Sequence, residues 1–516
     1  MTSKISKKHF LLFHQIPYIF LCFWTSVITL PIVLLLFLII SIVRLLLATY
    51  LCYATKGRIH LMEPTDSMVS VDFDLSPVNY MMCFHVRLDI TEQKLEGLRE
   101  KIRKHLDSPP YNKLKLRLCT KAGFSCWEDL SGSSEFDIKN HVKLCPGVES
   151  WEKSISETEL MSLVSKALNS SLKQSGKPDW EILIVPRVRM KTNSDEAVGE
   201  PLTTLIIRLH HSYMDGNCAL GFLQACLFDT DGVTTSSLET LNVLPSDPWY
   251  SQKQLGLLTK VLLYGPLYMI TLFIGGIGRI SRVFHETTSD VTFVGRTKLR
   301  MSSSTLNKIR MAFDCQTRSV ITYAFLSTLH RLAERSRIPI PPEVRMGITH
   351  AMPPYPKNKL SNRFTIISKK LPLAGPNQLE QIDGIARVSE ENAHEVTALL
   401  WTVKLAAQFP AVLYLRFTNG AVHPCGMTAA PSSERRFRLL GGPVESAFAL
   451  PPMVNGSHYI CAFCTYGGNL SVAFRVASTP LVQDQYEFQN FIMEFENCLK
   501  ELEIEAGMKI VNKKHA

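Results

Sequence analysis

The hydrophobic pattern around residue 205 changes from a continuous apolar run to helical spacing across a short polar interval. The run PLTTLIIRLHH is rich in β-branched and apolar residues, so it predicts a buried strand from about Thr203 to His210. The following GNCALGFLQACLF has apolar residues at helical spacing and predicts a helix that begins near Gly216 or Asn217. The polar interval, which includes His211, therefore lies at the junction between a strand and a helix.

The longest apolar stretch lies near the N-terminus, from Ile16 to Val43, and contains no formal charge. A helix needs about 20 apolar residues to cross a bilayer core, and this stretch is longer than the apolar region of a typical signal peptide. It therefore predicts an N-terminal membrane anchor over residues 1–56. Pro31 can kink a single spanning helix or mark the bend of a hairpin. Basic residues on both flanks leave the orientation of the anchor open.

A second apolar stretch, VLLYGPLYMITLFIGGIG, runs from Val261 to Gly278. Two interpretations are open, namely a buried helix in a crossover between two lobes and a second contact with the membrane. Because 516 residues are too many for one compact core, we predict two packed lobes. We place the N-terminal lobe at residues 57–246, the apolar crossover at 247–292 and the C-terminal lobe at 293–510.

The net charge and the cysteines indicate which class of partner the protein binds and in which compartment it lies. The net charge is +10, but no long basic block interleaves with aromatic residues, so we expect no nucleic-acid partner. An anionic membrane surface or an anionic substrate fits a mild positive charge better. The 13 cysteines are scattered, and no second pair completes a zinc site with Cys461 and Cys464. Scattered reduced thiols favour a cytosolic location for the two lobes.

The C-terminal sequence NKKHA places Lys513 and Lys514 near the end of the chain. This arrangement resembles the dilysine retrieval signal of membrane proteins of the endoplasmic reticulum, which coat proteins recognise on a cytosolic tail. Together with the N-terminal anchor it predicts a protein of the endoplasmic reticulum membrane whose lobes face the cytosol. The N-x-[ST] sequons at Asn169, Asn455 and Asn469 are then expected to carry no glycan.

Adjacent residues of a strand point to opposite faces, so His210 and His211 are expected in different surroundings. Such a pair does not easily share one metal ion, and no third ligand lies nearby in the sequence, so we predict no metal site. One imidazole can face a cleft as a general base while the other holds the turn. Asp215 can brace the loop through backbone amides or an arginine, and Gly216 permits a tight turn or close packing.

The seven residues HHSYMDG, from His210 to Gly216, resemble the HHxxxDG motif of the wax ester synthase/diacylglycerol acyltransferase family. That family belongs to the CoA-dependent acyltransferases with the chloramphenicol-acetyltransferase-like fold. The resemblance extends over about Val69 to Glu503 and includes four further segments. In chain order they are FDIKNHVKL (Phe136 to Leu144), KPDWEILIV (Lys177 to Val185), MGITHAMPPYPKNKLSNRFTIISKKLPL (Met346 to Leu373) and RFTNGAVHP (Arg416 to Pro424).

Three of these segments depart from the family pattern, two of them at a single position and the last at several. Asp179 stands where the family has a leucine before its Trp-Glu pair, and Ser361 precedes Asn362 where a Gly-Asn pair is usual. In the last segment only Thr418, Asn419 and a displaced proline agree with the family's Ser-Asn-(Val/Ile)-Pro-Gly-Pro sequence.

The resemblance implies an α/β protein of two lobes, each with a mixed sheet backed by helices, and a channel between the lobes, in addition to the N-terminal membrane helix. It places His211 midway along the channel as the catalytic base, with CoA entering from one side and the acyl acceptor from the other. His210, Asp215 and Gly216 would support the site, and Asn419 or a nearby backbone N–H would bind the oxyanion. No cofactor is required beyond acyl-CoA as co-substrate.

A membrane anchor favours a substrate that dissolves in the lipid bilayer. We therefore predict an acyl-CoA-dependent O-acyltransferase that transfers a fatty acyl group from fatty acyl-CoA to a long-chain fatty alcohol and forms a wax ester. Diacylglycerol is the competing acceptor, and its use would make triacylglycerol. A second class stays open, a lipid-binding relative without catalysis. The intact His-His-x-x-x-Asp-Gly sequence weighs against that class, and the altered segment around Asn419 weighs for it.

Overall fold

The computed structural model describes residues 2–71, 78–132, 136–173, 176–190, 201–229, 252–277, 291–352, 355, 359–391, 393–411, 413, 423–453 and 457–515. Its helices are α1 (Thr2–Ala54), α2 (Pro64–Ser67), α3 (Glu92–Leu106), α4 (Glu157–Asn169), α5 (Gly216–Cys226), α6 (Gln252–Ile277), α7 (Ser303–Phe313), α8 (Thr317–Arg335), α9 (Gln378–Glu391), α10 (Ala393–Ala406) and α11 (Gln485–His515). Its strands are β1 (Ile59–Leu61), β2 (Asn79–Val86), β3 (Leu116–Lys121), β4 (Phe124–Asp129), β5 (Val142–Leu144), β6 (Ile155–Ser156), β7 (Trp180–Arg189), β8 (Leu202–His210), β9 (Thr292–Arg296), β10 (Met301–Ser302), β11 (Glu343–Ala351), β12 (Phe364–Pro372), β13 (Cys425–Ala429), β14 (Arg438–Leu439), β15 (Gly442–Leu450), β16 (Tyr459–Tyr466) and β17 (Asn469–Ala477).

Two seven-stranded sheets form the centres of two lobes. The first sheet has the order β14-β15-β2-β8-β7-β5, with β6 beside β7, and the second has the order β10-β17-β16-β13-β11-β12, with β9 beside β17. Both sheets are mixed, since β5 runs parallel to β7 in the first and β13 runs parallel to β11 and β16 in the second. The predicted two-lobed α/β fold with mixed sheets is therefore confirmed.

Strand β8, which leads to the histidine pair, is covered by packed side chains on both faces of the first sheet. Ile207 and Leu209 of β8 pack in the same cluster as residues of α3 and α5, whereas Ile206 packs on the opposite face with Leu160 of α4. A strand that is covered on both faces has no need of polar alternation, which explains its continuous apolar sequence. The predicted strand and the predicted start of the following helix at Gly216 are both confirmed.

The strand pair β14 and β15 belongs to the first sheet, although it follows most of the second lobe along the chain. β15 pairs with β2 in antiparallel orientation, and Leu450 lies opposite Met81. A Cβ atom at Gly442, the first residue of β15, would lie 2.6 Å from the carbonyl oxygen of Arg87, so this close crossing requires glycine. The predicted C-terminal lobe at residues 293–510 is therefore wrong for residues 438–450, which belong to the sheet of the N-terminal lobe. The sequence did not reveal this, because pairing between distant strands is not encoded in local sequence patterns.

The N-terminal apolar stretch lies within α1, one continuous helix that includes both Pro17 and Pro31. Its segment Pro17–Ala54 is long and apolar enough to cross a membrane, with a mean hydropathy of 2.9, and among the described residues it is the one helix that meets this criterion. The hairpin that the sequence left open for the anchor is not formed, because the chain does not reverse direction at Pro31. A single proline removes one helical hydrogen bond without ending such a helix.

The second apolar stretch forms α6, which packs against both α1 and α10. Ser26 Oγ of α1 donates a hydrogen bond of 2.9 Å to the carbonyl oxygen of Leu263 in α6. On the other side of α6, a Cβ atom at Gly265 would lie 3.0 Å from the Cβ of Ala398, so small residues let α6 and α10 approach closely. The crossover helix thus joins the N-terminal helix to the second lobe, and its contact with a membrane stays a prediction.

Candidate active site

Backbone hydrogen bonds fix the histidine pair at the end of β8. The amide of His210 donates to the carbonyl oxygen of Asp179 over 2.9 Å, and the amide of His211 donates to the carbonyl oxygen of Val78 over 2.8 Å. Asp179 and Val78 directly precede β7 and β2, which are the two neighbours of β8 in the sheet. The two histidines are therefore anchored between two strands before any side-chain contact is considered.

The two imidazole rings have different surroundings. His210 is fully buried, and its Nδ1 lies 2.8 Å from the hydroxyl oxygen of Ser212. His211 is partly exposed and lines a cavity of about 170 Å³. The structure thus divides the pair as strand geometry predicts, with one ring inside the lobe and the other at a cavity.

The cavity lies between the two lobes. The first lobe lines it with Tyr80 of β2 and with the first residues of α5, and the second lobe lines it with Thr349 of β11, Phe364 of β12 and Thr428 of β13. The hydroxyl oxygens of Thr349 and Thr428 are 2.7 Å apart and supply polar groups to a mostly apolar wall. A molecule in this cavity would therefore contact both sheets.

Three side chains hold the ring of His211. Its Nδ1 lies 2.9 Å from Oδ1 of Asn362, and the rings of Tyr80 and Phe364 each lie 5.0 Å from the imidazole between centroids. An amide oxygen only accepts hydrogen bonds, so Nδ1 carries the proton and Nε2 carries the lone pair. This tautomer is the one that a general base requires.

Asn362 is held in turn by a buried ion pair. Its Nδ2 donates to Oδ1 of Asp66 over 3.0 Å, and its backbone amide donates to the same oxygen over 3.2 Å. The other oxygen of Asp66 lies 2.7 Å from Nζ of Lys113, and the two charged side chains are only 2% and 10% exposed. The series from Lys113 through Asp66 and Asn362 to His211 fixes the ring with groups from four separate parts of the chain.

Lys113 also supports the loop that carries the histidines. Its ammonium group donates to the carbonyl oxygens of Ser212, Tyr213 and Leu360 over 3.1, 2.6 and 3.0 Å. It lies 5.3 Å from the centroid of the Trp127 ring, which adds a cation–π contact. Because Ser212 and Tyr213 directly follow the histidine pair, one buried ammonium ties this loop to the segment of Asn362.

Asp215 caps α5 and connects the two lobes. Its Oδ1 accepts hydrogen bonds from the amides of Asn217 and Cys218 over 3.1 and 3.0 Å, and its Oδ2 accepts from the amide of Arg363 over 2.8 Å. These are the contacts of an N-cap aspartate, extended to a backbone amide from the second half of the chain. The prediction that Asp215 braces the loop through backbone amides is confirmed.

Gly216 serves close packing between the lobes. A Cβ atom at this position would lie 3.3 Å from Cδ of Pro431, which is a tight contact with a rigid ring. Gly216 opens α5 and its backbone is not in the left-handed region. Of the two roles that the sequence suggested for this glycine, the structure therefore has close packing and not an unusual turn.

Burial dominates the electrostatics of His211 and Asp215. Desolvation lowers the pKa of His211, while the negative charge of Asp215 and the hydrogen bond to Asn362 partly oppose this shift. Desolvation also raises the pKa of Asp215, against the three backbone amides that stabilise its charged form. A lowered pKa keeps His211 neutral at neutral pH, and the neutral imidazole is the form that accepts a proton.

Two other segments that resemble family motifs form the framework of the first lobe. Trp180 is buried, and Glu181 pairs with Arg208 over 2.6 Å and with Lys143 over 3.1 Å. His141 lies against Trp180 with ring centroids 4.4 Å apart, and its Nδ1 is 2.7 Å from the carbonyl oxygen of Trp180. Burial lowers the pKa of His141 to about 4, so this second buried histidine is neutral. These residues do not line the cavity of His211.

Several sequence predictions fall on residues outside the described part of the chain. Asn419, the predicted oxyanion donor, is among them, and so are the side chains of Lys513 and Lys514 and the sequon residue Asn455. Within the described ranges, no three His, Cys, Asp or Glu side chains form a group that could hold a metal ion.

Comparison with known proteins identifies the fold. No protein-family model matches the chain, and no curated protein sequence matches it. A solved structure of a wax ester synthase/diacylglycerol acyltransferase from Marinobacter aquaeolei VT8 superposes with a TM-score of 0.53 at 13% identity, covering 87% of this chain and 100% of that one. Trichothecene 15-O-acetyltransferase from Fusarium sporotrichioides gives a TM-score of 0.57 at 10% identity, covering 87% and 96%.

The first condensation domain of the calcium-dependent antibiotic synthetase, in complex with a substrate analogue, also matches, with a TM-score of 0.52 at 12% identity over 86% of this chain and 96% of that one. The chain therefore has the two-lobed fold that chloramphenicol-acetyltransferase-like acyltransferases and condensation domains share. At these identities the likeness concerns the fold alone. The function therefore has to be inferred from the residues of the site.

Proposed function

We propose that this protein is an O-acyltransferase that transfers a fatty acyl group from acyl-CoA to a long-chain alcohol and forms a wax ester. The observation that carries this proposal is His211, whose Nε2 holds a free lone pair at a cavity between the lobes because Asn362 binds Nδ1. An imidazole in this state can accept the proton of a hydroxyl group. The solved acyltransferases that share the fold support the reaction class.

The proposed reaction needs one base and two substrates. Nε2 of His211 takes the proton of the alcohol as the hydroxyl oxygen attacks the thioester carbonyl carbon. The tetrahedral intermediate then collapses, the C–S bond breaks, and the imidazolium returns the proton to the CoA thiolate. The products are the ester and free CoA, and no acyl-enzyme forms. General base catalysis of this kind contributes about 10²–10⁴-fold, and positioning between the lobes supplies a further part.

The long apolar helix favours an acceptor that dissolves in a membrane. The segment Pro17–Ala54 can hold the cavity beside a bilayer, where long-chain alcohols and diacylglycerol accumulate. We place the lobes on the cytosolic side of the endoplasmic reticulum, where acyl-CoA is made and where the C-terminal dilysine could be read by coat proteins. Diacylglycerol is the second candidate acceptor, since the solved enzyme from Marinobacter aquaeolei carries both activities in its name.

The test of this function is direct. Purified full-length protein in detergent is given labelled palmitoyl-CoA with hexadecanol, diacylglycerol or butanol in parallel, and the lipid products are separated. We expect labelled hexadecyl palmitate as the main product and release of one CoA thiol for each ester. Triacylglycerol as the main product would favour the second candidate. Binding of palmitoyl-CoA without any ester would identify a non-catalytic lipid-binding protein.

The pH dependence of the reaction follows from the lowered pKa of His211. Because burial lowers the pKa of His211 below its ordinary value of about 6.5, less than half of the rings are protonated at pH 6.5. The rate of ester formation should therefore decline as pH falls, with a midpoint below about 6.5. Replacing Asn362 with alanine removes a contact that favours the protonated ring, so the midpoint should move to still lower pH. A midpoint above about 7 in the unaltered protein would contradict this assignment.

A further inference from the structure

A groove of about 520 Å³ runs between the N-terminal helix and the second lobe. Its apolar walls are Val33, Leu34 and Phe37 of α1 and Trp401 and Leu405 of α10. We call this feature the α1–α10 groove. Its volume lies within the range of about 300–1,000 Å³ that small-molecule sites occupy.

The lining of the α1–α10 groove also includes polar residues. They are Glu63, Thr65, Lys404 and Gln408, and Glu63 forms an ion pair with Lys359. A mostly apolar groove with a few polar groups suits an amphiphile that has one hydrocarbon chain and a small polar head, such as a fatty alcohol.

Arg44 makes the groove a fixed feature of the fold. Its guanidinium donates to the carbonyl oxygen of Met62 over 2.6 Å and to that of Gln408 over 3.3 Å. Met62 directly precedes the groove residue Glu63, and Gln408 is itself a groove residue. One side chain of α1 therefore binds both the segment that enters α2 and the end of α10.

Phe364 links the cavity of His211 to the helix that forms one wall of the groove. Phe364 lines that cavity and contacts the His211 ring, and it also packs in a small cluster with Met68, Val403 and Ala407. Val403 adjoins the groove residue Lys404 on α10, and Met68 follows α2. Phe364 thus contacts the imidazole of His211 and also packs beside α10, the helix that supplies Trp401 and Leu405 to the groove.

We infer that the α1–α10 groove binds the hydrocarbon chain of the alcohol acceptor and that the Phe364 side chain gates its passage to His211. The inference rests on the proposed function and names where its lipophilic substrate enters. The walls supplied by α1 are open to the surroundings, since Leu34 is 65% exposed and Phe37 is 44% exposed. If α1 lies in a bilayer, this opening faces hydrocarbon, and a long-chain alcohol can enter sideways without crossing water.

A substitution that fills the groove tests the inference, because its effect should depend on the chain length of the alcohol. Leu34→Trp fills the groove, whereas Leu35→Trp, at a residue that is 58% exposed and does not line the groove, puts the same bulk on α1 outside it. We expect Leu34→Trp to lower kcat/KM for hexadecanol by about tenfold or more while leaving kcat/KM for butanol unchanged, because butanol is too short to need the groove. Leu35→Trp should change neither value. Leu405→Trp, on the opposite wall, should repeat the effect of Leu34→Trp.

Binding can be measured without turnover. We expect 11-bromo-1-undecanol to quench the fluorescence of Trp401 in full-length protein, and the quenched component to disappear in Trp401→Phe. If the unaltered protein makes no ester from any alcohol but its fluorescence is quenched, the proposed function is wrong, and the groove is still a binding site for a long-chain alcohol. Two results would show that the groove is not the acceptor site. One is ester formation in which Leu34→Trp and Leu35→Trp have the same preference for hexadecanol over butanol. The other is quenching that is unchanged in Trp401→Phe.

Discussion

Replacement of His211 by alanine should lower the rate of ester formation by about 10²–10⁴-fold while the protein stays folded. The variant loses the Nε2 base. It keeps the backbone hydrogen bond from residue 211 to Val78, which does not depend on the side chain. The measurement is the initial rate with palmitoyl-CoA and hexadecanol, beside the thermal unfolding midpoint of the same preparation.

Two further histidines serve as comparisons for this result. His330→Ala removes a partly exposed imidazole of α8 that does not line the cavity, and it should keep full activity. His210→Ala should lose activity less completely than His211→Ala, because the buried ring of His210 holds the turn through Ser212 and does not reach the substrate. Near-normal turnover by His211→Ala would refute the mechanism.

Replacement of Asp66 by alanine should lower the free energy of unfolding by about 3–5 kcal/mol, because it leaves the ammonium of Lys113 buried without its counter-charge. The three carbonyl oxygens around Lys113 remain, but they do not neutralise it. Activity should fall as well, by up to about 10²-fold, since Asn362 loses the acceptor that aims its oxygen at His211. Denaturant unfolding gives the first quantity and initial rates give the second.

A second substitution separates these two effects. Asp66→Ala combined with Lys113→Met removes both buried charges, so the double variant should regain part of the lost stability. It should not regain activity, because nothing restores the hydrogen bond that orients Asn362. Full recovery of both properties would mean that Asp66 acts through stability alone and has no part in positioning His211.

The parts of the site that the sequence predicted are those in which local pattern and local structure agree. A strand that ends at His210 and a helix capped by Asp215 follow from a short stretch of sequence, because hydrophobic periodicity and N-cap chemistry act between near neighbours. The resemblance to a family drew attention to Ser361 and Asn362. It did not reveal that the side chain of Asn362 binds Nδ1 of the His211 ring.

Asp66 and Lys113 were missed for a physical reason. A proline at the start of α2 and an aspartate in its first turn are ordinary signals for the beginning of a helix. Nothing in that pattern distinguishes a carboxylate that faces solvent from one that pairs with a lysine nearly fifty positions later. The same holds for the α1–α10 groove, since an apolar stretch of sufficient length predicts a membrane helix but not the part of the lobes that it contacts.

The place of β15 in the first sheet determines the order in which the molecule can be completed. A ribosome delivers β2 and its first partner β8 early, but β15, the second partner of β2, is absent until Leu450 has emerged. During that interval one edge of the first sheet has unpaired N–H and C=O groups, and such an edge is a template for pairing with other chains. The first lobe is therefore not a unit that can mature alone. A nascent chain halted after the crossover would be expected to need a chaperone, and release of the last strands would complete both lobes together.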